Sequence, residues 1–365
     1  MHRIAVVVLV VTVAACAATH PHAKHWRWTE PRAEYVRRSQ VWLGGDVETW
    51  VRRMRTVDLA AGPDRAFAPE ALVRCTYVEP RHESLGHTPK FECRRDRDVL
   101  KVKWGDDEPE IYAEVAGTRL FWALGFGADR EYPVRVECAD CADDPWRDRK
   151  PHPGHVAAFA PAIVEQKLPG RTIAEHRGQG WTWGELARVD PAAGGAPHAH
   201  TDALRLLAVF IQHRDSKADN QRLVCLPDGV TSAPDKRRDC RKPFMLIQDL
   251  GSSFGGPALI ATHKMSLDAW RAEPVWKDAR RCVANVTSER DARDGLDDPQ
   301  IGEDGRQFLA TLLAALDDRQ ITALFTVARV ERRGDVAAWV ATFRTKRDQI
   351  VHPVPDDPRF RCPEA

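Results

Sequence analysis

The chain opens on a short positive start, Met1-His2-Arg3, followed by an apolar run over residues 4–15. That run is well short of the roughly 20 residues a membrane-spanning helix needs. An irregular amphipathic stretch over 31–54 carries Tyr35, Val36, Val41, Trp42, Leu43, Val47, Trp50, Val51 and Met54, which predicts helix interrupted at Gly44-Gly45. Short strands are predicted over 74–78 and 90–93, around a polar turn at 81–89. Residues 99–104 read Val-Leu-Lys-Val-Lys-Trp with period two, as a half-buried strand should, and Gly105-Asp106-Asp107 ends it. Over 110–124 the apolar positions Ile111, Val115, Leu120, Phe121 and Leu124 predict a helix stopped by Gly125. Further strands are expected over 132–138 and around Ala162-Ile163-Val164, separated by a polar, Pro-rich loop at 138–155.

Beyond a Trp- and Gly-rich turn at 178–184 and a flexible link at 191–200, Thr201-Asp202 is placed to cap an apolar helix over 203–212. Strands at 222–225 and 244–247 flank a polar insert, and helices follow over 266–271, 302–316, 318–328 and 335–350. No internal repeat is visible. Strands first and helices later make an α+β plan, with a small β-rich lobe over 31–170 and a mainly helical lobe over 171–365.

A basic start, a short apolar run and small residues at its end read as a signal peptide over 1–15. The run ends Val13-Ala14-Ala15-Cys16, which resembles the lipobox of bacterial lipoproteins. The resemblance implies lipidation at Cys16, a tether over 16–30 and a membrane partner reached through that lipid. Ala17, rather than Asp, follows the cysteine, which by the sorting habit of such lipoproteins points to the outer membrane of the cell envelope. The eight other cysteines are an even number, and in an exported chain that suggests disulfides. Spacing does not fix connectivity. Pairing near neighbours gives Cys75 with Cys93, Cys138 with Cys141, Cys225 with Cys240 and Cys282 with Cys362.

A net charge of +1 gives no field that would recruit nucleic acid, and 43% hydrophobic residues with 12 Trp suffice for a core. The chemistry is concentrated elsewhere. His213-Arg214-Asp215-Ser216-Lys217-Ala218-Asp219-Asn220 follows an apolar helix, and one such loop can present a carboxylate, a cation and an amide oxygen together. Phosphoryl transfer needs those three groups: a base for the acceptor hydroxyl, a charge near the transferred phosphate, and an oxygen ligand for Mg²⁺. Asp249-Leu250-Gly251 follows the apolar strand Phe244-Met245-Leu246-Ile247. Upstream, Lys101 and Lys103 share one face of their strand, and the next helix carries Glu110 and Glu114.

The loop matches the H-R-D-x-K-x-x-N catalytic pattern of protein kinases, and Asp249-Leu250-Gly251 resembles their D-F-G element. Their order resembles the protein-kinase-like superfamily. The stretch Val102-Lys103-Trp104-Gly105 with Glu114-Val115-Ala116-Gly117-Thr118-Arg119-Leu120 is similar to a group of exported bacterial proteins of that fold, distantly akin to secretory-pathway and phosphoinositide kinases. The resemblance spans about Ser84 to Gly255 and implies a two-lobed kinase-like fold using ATP, or another nucleotide, with Mg²⁺. It implies Asp215 as base, Lys217 beside it, Asn220 and Asp249 on the metal, and Lys103 on phosphate, fixed by Glu114; Lys101 with Glu110 is the reserve pair. By order, Ser84 and Gly86 fall in the phosphate-covering turn, and Glu165 to Leu168 at the hinge that meets adenine.

Two departures stand out: the covering turn lacks a G-x-G-x-x-G pattern, and no A-P-E follows Asp249. The acceptor, a protein or a small molecule, is not legible, and a kinase-like binding module without turnover is the alternative. Cys138-Ala-Asp-Cys141 with His152 and His155 offers a zinc set, although a disulfide suits an exported chain better.

Overall fold

The computed structural model describes residues 27–80, 86–233, 237–256, 264–288 and 294–364. Cys16, Ser84, the leader over 1–15 and nearly all of the tether therefore lie outside the described residues. Among the described residues no helix is long and apolar enough to cross a membrane.

The chain is mixed α and β. After two short helices, α1 (Arg32–Arg37) and α2 (Val47–Met54), come strands β1 (Ala71–Val78), β2 (Lys90–Arg95) and β3 (Asp98–Trp104), helix α3 (Pro109–Leu124), and strands β4 (Arg130–Ala139) and β5 (Val156–Gln166). The five strands close into a barrel in the order β1-β2-β3-β5-β4. Closure comes from a parallel pairing of β1 with β4, Ala71 opposite Val134 through Thr76 opposite Ala139, and the other neighbours are antiparallel. Period-two alternation sends one side-chain set inward, where Phe91, Val102, Tyr132, Val134, Phe159 and Val164 fill the barrel. The other set of β2, β3, β4 and β5 carries the charges that matter below.

Helix α3 lies against β4 and β5 and is buried on almost every face, as its apolar composition requires. Pro109 opens it at a position where the missing N–H costs nothing. At its end the indole Nε1 of Trp42 donates to Leu124 O at 2.8 Å and that of Trp50 to Ala123 O at 3.0 Å, satisfying carbonyls the helix leaves open. Gly125 follows at φ +88°, and a Cβ there would fall 2.5 Å from Trp42 Nε1. Only glycine fits.

The rest is mainly helical. A small sheet of β6 (Arg171–Thr172), β7 (Gln221–Cys225) and β10 (Pro243–Ile247) sits beside the hairpin of β8 (Val230–Ser232) and β9 (Arg238–Cys240). Helices α4 (His198–Phe210), α5 (Leu267–Ala272), α6 (Glu303–Ala314), α7 (Asp318–Val327) and α8 (Val336–Val351) enclose a second core around Phe210, Trp270, Phe325, Trp339 and Phe343. Helix α4 starts before the expected cap, so His198 and His200 are helical rather than linker. Asp202 does not cap it: its Oδ2 accepts from Gly302 N at 2.9 Å and anchors the start of α6.

Barrel and helices are pinned together by Arg329, which is 7% exposed and follows α7. Its guanidinium donates to Ala162 O and Val134 O, both at 3.1 Å, and pairs with Glu70 at 2.5 Å. Val134 lies where the β4–β5 register shifts, so the arginine serves a carbonyl beside the irregularity. All four near-neighbour cysteine pairs are bonded. The Cys138–Cys141 bridge removes the thiolates a zinc site would need. His152 is held by Asp148 at 2.8 Å, and His155 Nδ1 lies 2.6 Å from Cys141 O.

Candidate functional site

The outward faces of β3 and β5, the side of α3, the loop after α4 and the turn after β10 meet at one gap beside the barrel. Lys103, on β3, is 2% exposed and its Nζ is ion-paired with Glu114 of α3, itself 1% exposed. The same ammonium stands 3.9 Å from Asp249 Oδ2 and 3.9 Å from Glu165 Oε2. Lys101, two residues earlier on the same face, is paired with Glu165. Glu110, its expected partner, instead accepts from Thr88 Oγ1.

Asp249 is held by its own turn. Gly251 N donates to its Oδ1 at 3.0 Å. Leu250 is fully buried and packs on Gly117 of α3, where a Cβ would come within 3.1 Å of the leucine Cβ. Helix α3 thus positions both the glutamate that binds Lys103 and the segment that carries Asp249.

The loop after α4 is laced to that segment. Gln212 turns out of the helix at φ +53°. Arg214 N donates to Ser252 O at 3.0 Å, while its guanidinium reaches Gln212 Oε1 at 2.5 Å and Thr287 O at 2.9 Å. Asn220 is the link: its carbonyl accepts from Gln248 N at 2.8 Å and Asp249 N at 3.4 Å, and its Nδ2 donates to Asp215 O at 2.7 Å. Lys217 Nζ lies 2.9 Å from Asp215 Oδ1 and 3.0 Å from Oδ2. Asp215, Lys217, Asn220 and Asp249 are therefore one constellation, and His213, buried beneath it, feels the charge of both Asp215 and Asp249. Burial drives that imidazole down to about 4, so it is neutral.

Charge in the gap is unbalanced. Burial opposes the charge of Lys103, but Glu114, Asp249, Glu131 and Glu165 hold it well above the ordinary lysine range. Burial also works against Asp249, yet Lys103, Lys101 and the Gly251 N–H keep its carboxyl far below the usual value, so it is ionised. Burial pushes Glu114 up to about 8 against the pull of Lys103, and Glu110 up to about 7, with Asp249 adding to both. Glu131, opposite Glu165 in the β4–β5 ladder, is fully buried with one carboxylate oxygen unpartnered, and burial raises it well above the usual range. Sequence reasoning missed Glu131. Its signal was period two: it shares the face of Lys101, Lys103 and Glu165.

Gly86 is exposed at φ +90°, beside the ammonium of Lys90, whose strand position is opposite Lys103. Glu165, expected at an adenine edge, turns its carboxylate to the two lysines. Among the described residues no group of three or more His, Cys, Asp or Glu forms a ready ion cage. Asp249 and Asn220 offer two hard oxygen ligands, which suits a cation completed by a ligand's own oxygens.

No family model matches the chain, and no curated protein does. Among solved structures, one similar chain is the Helicobacter pylori proinflammatory kinase CtkA, with 9% identity, TM-score 0.42, and 79% of this chain and 96% of that one covered. Another is WaaP in complex with acyl carrier protein, with 15% identity, TM-score 0.22, and 74% of this chain and 87% of that one covered.

Proposed function

We propose that this chain is a two-lobed, kinase-like phosphotransferase, exported and held at the cell envelope by a lipid on Cys16. The observation that carries the reading is the arrangement around Lys103: paired to Glu114 and 3.9 Å from Asp249, which is itself tied through its backbone to Asn220. A buried lysine fixed by a helix glutamate is a cation of set position, suited to the phosphates of a donor such as ATP.

Asp249 and the Asn220 side-chain oxygen are the residues that would hold Mg²⁺, with donor phosphates completing its shell; the ion would screen charge on the transferring group. Asp249 fits this role because it is ionised and 37% exposed, open to the gap. The Asn220 amide is oriented by its bond to Asp215 O. Asp215 would take the proton of an acceptor hydroxyl, with Lys217 holding it in place and lending positive charge beside the phosphoryl group.

A thermal-shift titration of the full chain with ATP, with and without Mg²⁺, tests the reading. A Mg²⁺-dependent rise in Tm that Asp249→Ala abolishes is expected. The absence of a shift for every polyphosphate ligand tried would overturn it.

A further inference from the structure

A cavity of about 620 Å³ opens beside Asp249, between β2, β3 and the segment after β5. Its size suits a small ligand, but its lining does not suit a nucleobase. A base needs apolar or aromatic faces to lie between and free polar groups at its edge. Most of the lining residues carry charge, and among those described none is aromatic. Apolar contact is limited to Val99, Leu100 and Pro169, and Leu100 belongs to the barrel core.

Part of the edge is spent as well. After β5 the chain has few backbone groups to offer a planar ligand. Leu168 N already donates to Asp129 Oδ1 at 2.8 Å, and Leu168 O accepts from Arg222 Nη2 at 3.4 Å. Asp129 and Arg222 are themselves paired beneath it. Pro169 has no N–H at all, and Gln166 is committed to the ladder opposite Arg130. What the cavity does present, among the carboxylates of Glu92, Asp98, Glu165 and Asp249, is four cations along its length: Arg97, Lys167, Lys101 paired with Glu165, and Arg130 paired with Asp64.

Resting on the phosphotransferase reading, we infer that the cleft holds its donor by the polyphosphate chain alone, so that inorganic tripolyphosphate or longer inorganic polyphosphate serves as well as a nucleotide. With tripolyphosphate, the acceptor oxygen bonds to a terminal phosphorus as the bridging P–O bond breaks. The hydroxyl proton passes to Asp215, and pyrophosphate departs with the bonding electrons. Lys101, released from Glu165, would take up the phosphate beyond the reach of Lys103.

Isothermal titration of the full chain in Mg²⁺ with ATP, tripolyphosphate and adenosine separates the outcomes. Expected are tripolyphosphate and ATP constants within about three-fold of each other, no heat from adenosine, and an equal loss for both polyphosphates in Lys101→Met. ATP binding tenfold or more tighter than tripolyphosphate, or adenosine binding by itself, overturns the inference and leaves the phosphotransferase reading standing. Binding by neither ATP nor tripolyphosphate removes both.

Discussion

The ammonium of Lys103 stands 3.9 Å from Oδ2 of Asp249, though one residue belongs to the barrel and the other to a turn beyond α4. That separation is too long for a tight ion pair and short enough for strong mutual influence. It leaves the carboxylate ionised. Asp249→Asn keeps the shape and the turn but removes the charge. It is expected to abolish any Mg²⁺-dependent thermal shift while leaving the apo melting temperature within a few degrees, read by differential scanning fluorimetry.

Breaking the Lys103–Glu114 pair from one side should cost far more than its net worth. Lys103→Met leaves Glu114, Glu131 and Glu165 without the buried cation they face, and a loss of about 3–5 kcal/mol is expected from removing one partner of a buried pair. Adding Glu114→Gln should recover part of it. Urea denaturation of the two single variants and the double variant gives the coupling directly.

Glu110 makes stability depend on pH with a defined sign. Its carboxyl is pushed from 4.5 up to about 7, so between those values the native chain holds a proton the unfolded chain has released. Stability from this group is intact at pH 4.5 and falls as pH climbs through 7. Glu110→Gln should therefore match the parent near pH 4.5 and exceed it by about 1–3 kcal/mol at pH 7.5. A gap that stayed constant across that range would show that the shift is not there.

The Cys282–Cys362 bridge spans 80 residues, the widest loop among the four. Closing such a loop removes the most freedom from the unfolded chain. The paired change Cys282→Ser with Cys362→Ser is expected to cost about 4–5 kcal/mol, against a smaller loss for Cys75 and Cys93. Chemical denaturation of the two double variants orders them.

Much of the fold was legible because burial writes itself into spacing. The alternation over 99–104 placed Lys101 and Lys103 on one face, and the apolar positions over 110–124 gave α3 to within a residue of its first turn. Cys225 and Cys240 bracketed the insert that the hairpin β8–β9 fills. What stayed hidden depends on pairing across the chain. No local pattern announces that β1 lies parallel to β4, nor that Arg329 will reach two barrel carbonyls. The reserve pair failed for a geometric reason: Lys101 lies opposite Glu165 in the β3–β5 ladder, whereas Glu110 lies near Thr88. Asp202 looked like a cap because local spacing cannot see Gly302 waiting for its carboxylate.

Each of the five barrel strands is hydrogen-bonded on both sides. A closed ladder of this kind leaves little free rim of N–H and C=O groups to template another chain, although the start of β5, from Val156 to Phe159, is paired with β4 alone. Along the length paired on both sides, an extended peptide has no place to add itself as a sixth strand. On the proposed function, selection of the acceptor then falls to the side chains and loops around the gap.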